Sequence, residues 1–143
     1  MKNINLNATK LATLTVFVLS LLFSTVSFAQ QSEAIYKATI PFEFQLNGKI
    51  LPAGEYVVKT TDHFIQIRPA SEAKGVGTVT TRTSRNKQSE KNMLVFNVYE
   101  NQYFLSQLWF EGSELVREVP MSRAEAEIAK KGTEAHVQLA LGK

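Results

Sequence analysis

The chain has 143 residues, 44% of them hydrophobic and 20% charged, with a formal net charge of +3 and a pI near 9.2, values that place it among single-domain globular proteins. It contains no cysteine, which excludes disulfide scaffolds, thiolate zinc sites, iron–sulfur clusters and thiol nucleophiles. The basic balance invites a nucleic-acid or anionic-membrane partner, but its distribution along the chain removes most of that invitation.

Residues 1–29 carry Lys2 and Lys10, no acidic residue, and an apolar run over 11–23 interrupted by Thr13, Thr15 and Ser20. A bilayer-crossing helix needs roughly 20 apolar residues, so the run reads as the core of a signal peptide. Ser27 and Ala29 supply the small residues favoured before a signal-peptidase cut, which is expected between Ala29 and Gln30. The alternative is an uncleaved anchor lengthened through Ser24 to Phe28. No cysteine follows the run, so a lipoprotein anchor is excluded. The expected location is the periplasm or exterior of a Gram-negative-like bacterium, with membrane contact only through the signal peptide. Residues 30–143 hold 14 basic against 13 acidic side chains, and the single expected domain, 30–143, is nearly neutral.

The first strand of that domain is announced by strict alternation: Tyr36, Ala38, Ile40, Phe42, Phe44 and Leu46 are apolar, with Lys37, Thr39, Glu43, Gln45 and Asn47 between them. This is a strand with one buried face. Pro41 cannot donate to a ladder and marks an edge or a bulge. Asn47-Gly48 suits a tight hairpin turn, since both residues tolerate positive φ. Leu51-Pro52-Ala53-Gly54 reads as a second turn. Strands are expected over 55–61 and 63–68, separated at Thr61-Asp62, and Pro69 stops the second. A polar loop over 70–75 leads to a Thr-rich strand over 76–83 of modest burial. Residues 84–91 contain no apolar side chain, which predicts a solvated, mobile loop.

Two strands follow, 92–99 and 102–110, joined by a two-residue turn at Glu100-Asn101. The second is apolar on both faces and should be central. Glu111-Gly112-Ser113 turns the chain into a strand over 114–119, ended by Pro120. Ser122-Arg123-Ala124-Glu125 is a capping box. It opens a helix expected to run to Lys131 and to stop at a left-handed Gly132, packing weakly through Ala124 and Ile128. Alternation through Ala135, Val137, Leu139 and Leu141 gives a closing strand over 134–141.

The expected fold is all-β: a single antiparallel meander of about seven or eight strands, barrel-like with a sandwich as the alternative, and one short C-terminal helix before the last strand. Parallel pairs are not expected, because the connections are too short for crossovers. An outer-membrane barrel needs strands of about 9 to 11 residues, longer than most of these.

The stretches Ile40-Pro41-Phe42-Glu43-Phe44, Leu51-Pro52-Ala53-Gly54-Glu55-Tyr56 and Tyr103-Phe104-Leu105-Ser106, the last followed by Trp109, resemble those of small secreted proteins of acidobacterial type. The resemblance covers most of residues 30–143 and implies export and a β fold, with no activity or ligand attached. The chain departs from it at Glu100-Asn101, where a glycine would be expected in the turn.

Chemistry-bearing motifs are scarce. There are two histidines, His63 and His136, and one aspartate, Asp62, and no nucleophile-elbow, zinc-protease or phosphate-cradling pattern. No cofactor or metal is expected, and Asp62-His63 reads as a polar turn. Arg82, Arg85, Lys87 and Lys91 form a basic cluster opposed by Glu90. Without interleaved aromatics it does not read as a nucleic-acid site, and Arg85, Lys87 and Lys91 are instead candidates for contact with an envelope polymer or protein. Residues 30–143 hold six Phe, four Tyr and Trp109. Tyr99, Tyr103 and Trp109 share odd parity near one hairpin, which makes them candidates to line a pocket for a small apolar or sugar ligand. The leading expectation is an exported, non-catalytic binding domain. A structural or envelope-associated protein using 70–75 and 84–91 is the alternative, and a hydrolase comes third.

Overall fold

The alternation that begins the domain folds as β1 (Ala34–Ile40) in a computed structural model, which describes residues 33–133 and 135–142 of the unit Gln31–Lys143. The expected leader and its cleavage site lie outside the described residues. Pro41 does more than mark an edge. It divides the alternating stretch in two, and β2 (Phe44–Leu46) enters the other sheet. β2 turns through Asn47 and Gly48, at φ 50° and 73°, into β3 (Lys49–Leu51), the left-handed pair that a tight hairpin requires.

The next strands are β4 (Gly54–Thr60), β5 (Phe64–Pro69), β6 (Val76–Val79) and β7 (Thr81–Ser84). They are followed by β8 (Met93–Tyr99), β9 (Gln102–Trp109), β10 (Leu115–Glu118), the helix α1 (Arg123–Ala129) and β11 (Ala135–Ala140). One sheet has the order β1-β4-β5-β6 and the second β11-β8-β9-β10-β7, with β2 and β3 attached to the second. The architecture is therefore sandwich-like, and the barrel expectation is corrected: no ladder runs continuously around the described residues. The strand expected over 76–83 breaks at Thr80, which is 4% exposed, and its halves serve different sheets. On the opposite side, Lys37 and Gly142 exchange two backbone hydrogen bonds of 2.8 and 2.9 Å, so the end of the last strand touches β1 at a single bridge. The all-antiparallel expectation also fails at one place. β2 runs parallel to β9, pairing Phe44 with Tyr103 and Gln45 with Phe104. Strands β3 to β8 supply the long connection that short loops could not.

The core lies between the sheets. Ile40, Val58, Ile65 and Ile67 of the first sheet meet Leu94, Phe96 and Leu108 of the second, and each is fully buried. Phe44 stands at the joint, with Tyr56 of β4 and Phe96 of β8 at 5.3 and 5.5 Å in edge-to-face arrangements. Tyr56 donates to the Pro52 carbonyl at 2.5 Å. Burial, then the charge of Glu72, pushes its hydroxyl above the ordinary tyrosine pKa.

At the β8–β9 turn Glu100 and Asn101 adopt φ 47° and 67°. A left-handed backbone suits asparagine but strains an ordinary L residue by about 1 to 2 kcal/mol. Glu100→Gly should relieve that strain, less the entropy glycine adds to the unfolded chain, and raise stability by about 0.5 to 1 kcal/mol. The check is a higher urea midpoint at unchanged slope; a lower midpoint would contradict the reading of strain.

Candidate functional site

Position 106 decides which side chains share a face. Val95 opposes Gln107 and Phe96 opposes Leu105, so the ladder skips Ser106. Ser106 bulges out, its hydroxyl donating to the Val95 carbonyl at 3.0 Å and its own carbonyl accepting from Val119 N at 2.8 Å. An extra residue inverts the parity of everything beyond it. Tyr103, before the bulge, turns inward and stacks on Phe42 at 3.9 Å. Trp109, beyond it, turns outward. Tyr99 is 1% exposed and packs on Phe104 at 6.0 Å. The expected trio of Tyr99, Tyr103 and Trp109 is thus dispersed to three places: Tyr103 lines a hollow of about 370 Å³ beside Phe42 and Gln45, and Trp109 a separate groove.

That groove lies on the outer face of the second sheet. The Trp109 indole Nε1 donates to Gln107 Oε1 at 2.8 Å, and the Arg85 guanidinium carbon sits 3.9 Å from the indole centroid, a stacked cation–π contact. Arg85 is brought there by an extension of the β7–β10 ladder, its amide donating to the Glu114 carbonyl at 2.9 Å. The segment after it is exposed, as expected, but it is also tied down. Ser89 is buried, donates from its amide to the Ser113 carbonyl at 3.1 Å and accepts from Gly112 N at 2.9 Å. Asn92 Oδ1 accepts from Glu111 N at 3.1 Å. The basic loop is therefore held as a wall over the sheet.

Between wall and sheet is an open groove of about 570 Å³ lined by Arg85, Lys87, Lys91, Met93, Trp109 and Gln138, among others. A recess of about 130 Å³ shares Arg85, Trp109 and Gln138 with it and adds Val95, Gln107 and His136. Lys87 lies 3.9 Å from Glu90, with both side chains over 80% exposed, a contact that solvent and salt weaken strongly. Among the described residues, neither Arg85 nor Lys91 has a carboxylate at ion-pair distance. Arg82, grouped with them in the sequence, is instead committed to Asp62 at 2.6 Å. Arg117 donates to the Asp62 carbonyl and lies 3.6 Å from its carboxylate. Burial, then the neighbouring Arg82, lowers the Arg117 pKa, although a guanidinium stays charged throughout the physiological range. These three residues tie a turn of the first sheet to strands of the second.

The far end of the same face is closed by α1. Ser122 caps it, accepting from Glu125 N at 3.1 Å, but the Glu125 side chain does not complete the expected capping box. It is 4% exposed and accepts from Asn97 Nδ2 at 2.9 Å. Asn97 Oδ1 faces His136 Nδ1 at 3.1 Å, so that nitrogen carries the proton. The helix is thus anchored by a buried carboxylate and not by Ala124, which is exposed. Gly132 is not left-handed, contrary to expectation.

Gln107, Gln138, Met93 and Val95 are not singled out by sequence reasoning, which reads His136 as a surface residue of the last strand. Alternation could have aligned Gln138 with His136, but Gln107 and Trp109 depend on the bulge. A second groove of about 590 Å³ lies at the seam of β1 and β11, with Lys37 and Glu55 as its charged residues. Compared with protein-family models, curated proteins and solved structures, the chain matches none.

Proposed function

We propose that the protein is an exported, non-catalytic domain that binds a small sugar or apolar ligand, or an envelope polymer, in the groove beside Trp109. The observation that carries this reading is convergence. The basic residues Arg85, Lys87 and Lys91 and the aromatic Trp109, candidates from two separate stretches of sequence, line one groove. Its volume falls in the range of roughly 300 to 1,000 Å³ usual for ligand sites. A hydrolytic reading has less support. Glu90 is on the exposed rim and Glu125 is buried beneath α1, so among the described residues no carboxylate pair flanks the groove as glycoside hydrolysis requires. The likeness of the Ile40-to-Phe44 and Leu51-to-Tyr56 stretches to small secreted acidobacterial-type proteins agrees with export.

Trp109 is the single tryptophan of the chain, so intrinsic fluorescence reports on the groove without a label. A panel of glycans and lipids is expected to include a ligand giving a saturable change in emission. No change across the panel would overturn the assignment of the groove. Mass spectrometry of the exported protein is expected to find Gln30 at the mature N-terminus, and retention of residues 1–29 would overturn the reading of a cleaved leader.

A further inference from the structure

The Arg85 guanidinium carbon sits over the Trp109 ring at 3.9 Å from its centroid, and no carboxylate among the described residues pairs with it. A stacked guanidinium has already lost much of its rotational freedom while its planar fork of donors stays available, the arrangement that suits bidentate capture of an oxyanion. Among the described residues, Lys87 and Lys91 line the same groove with Glu90 as its single acid, so the local field is positive in a domain that is otherwise nearly neutral. The floor is of a different kind. Gln107 gives its amide oxygen to the Trp109 indole, which leaves its NH₂ to donate, and Gln138 lies alongside in both the groove and the recess. Amide side chains of this sort recognise hydroxyl groups. The groove is open and runs on into the recess, a shape for a chain laid along the sheet.

We infer that the groove takes an acidic glycan, a polymer or oligomer of sugar rings carrying carboxylates, with Arg85 binding a carboxylate through its fork, Lys87 and Lys91 adding charge, and Gln107 and Gln138 meeting ring hydroxyls. This inference rests on the proposal that the groove is a binding site. A single-stranded nucleic acid is the competing polyanion, but it is bound by successive aromatic platforms on which bases stack. Here Trp109 is the one aromatic among the described residues that line the groove, and Arg85 already covers a face of it.

The test is titration of the exported protein, followed by Trp109 fluorescence, with three probes: an oligogalacturonate, its neutral methyl ester and an oligothymidylate of similar length. The oligogalacturonate should saturate the signal and bind at least tenfold more tightly than either of the others, with affinity falling as salt is raised. Arg85→Gln should weaken it about tenfold or more, and Arg85→Lys, which keeps the charge but loses the fork, should also weaken it. Lys74→Gln, the same charge change on the β5–β6 connection, should leave affinity within about twofold. Unchanged melting midpoints of the variants exclude a folding defect. Equal binding of the neutral ester overturns the acidic class while leaving the groove assignment intact, and equal binding of the oligothymidylate overturns the glycan. Silence from all three probes overturns the inference, and the glycan and lipid panel then decides the groove separately.

Discussion

Phe96→Ala should lower stability by about 3 to 5 kcal/mol, the range for truncating a fully buried aromatic residue. Phe96 is 0% exposed, and its ring makes edge-to-face contacts with Phe42 at 5.3 Å and Phe44 at 5.5 Å. Phe44 in turn meets Tyr56 of the first sheet, so the cavity would open where the two sheets are joined and several rings rest on one another. A domain of this size has a total stability of about 5 to 15 kcal/mol, so the variant should sit close to its unfolding transition at body temperature. Urea unfolding measures this directly. A loss below about 1 kcal/mol would mean that the ring does not fill the space between the sheets.

Gly75→Ala is the second large effect, and its cause is backbone proximity. A Cβ at Gly75 would stand 2.5 Å from the Ile67 carbonyl oxygen and 2.6 Å from the Arg68 Cβ. Neither neighbour can swing aside, because both belong to β5 and Ile67 is fully buried. The chain entering β6 would have to separate from β5, at a cost of about 3 kcal/mol. Gly77 is an instructive contrast. A Cβ there would meet the far end of the Phe64 ring at 2.2 Å, but Phe64 is 41% exposed and can rotate into solvent. Gly77→Ala should therefore cost only about 1 kcal/mol. Equal losses at the two positions, read from paired denaturation curves, would contradict this distinction between backbone and side-chain obstruction.

Features decided by neighbours in sequence are legible from the residues alone. The inward set Tyr36, Ala38 and Ile40, the Asn47-Gly48 turn, the two-residue turn at Glu100-Asn101 and the Ser122 cap are local choices of backbone and burial, and each takes its expected form. What escapes such reading is set by distant partners. Thr-rich β-branched sequence over 76–83 favours extended backbone throughout, and nothing local says that Thr80 should carry the chain from one sheet to the other. The bulge falls at the polar pair Ser106-Gln107 inside an otherwise apolar strand, and alternation alone does not say that a residue is skipped there, yet it separates Tyr103 from Trp109. Glu125 has the sequence signature of a capping residue, and its hydrogen bond to Asn97, 28 residues away, is not written in the local pattern. Arg85, Lys87 and Lys91 stay on one groove because they lie within one short stretch of chain. Arg82 is lost from that group to an ion pair formed across the sandwich.

The most direct test of the central proposal is to locate the ligand on the fold. Backbone amide hydrogen exchange of the protein, with and without saturating oligogalacturonate, reads every strand in one experiment. Added protection is predicted at 85–93, 107–109 and 136–138, the wall and floor of the groove beside Trp109. Protection confined to 37–39, 55–57 and 139–142, the seam of β1 and β11, would contradict it.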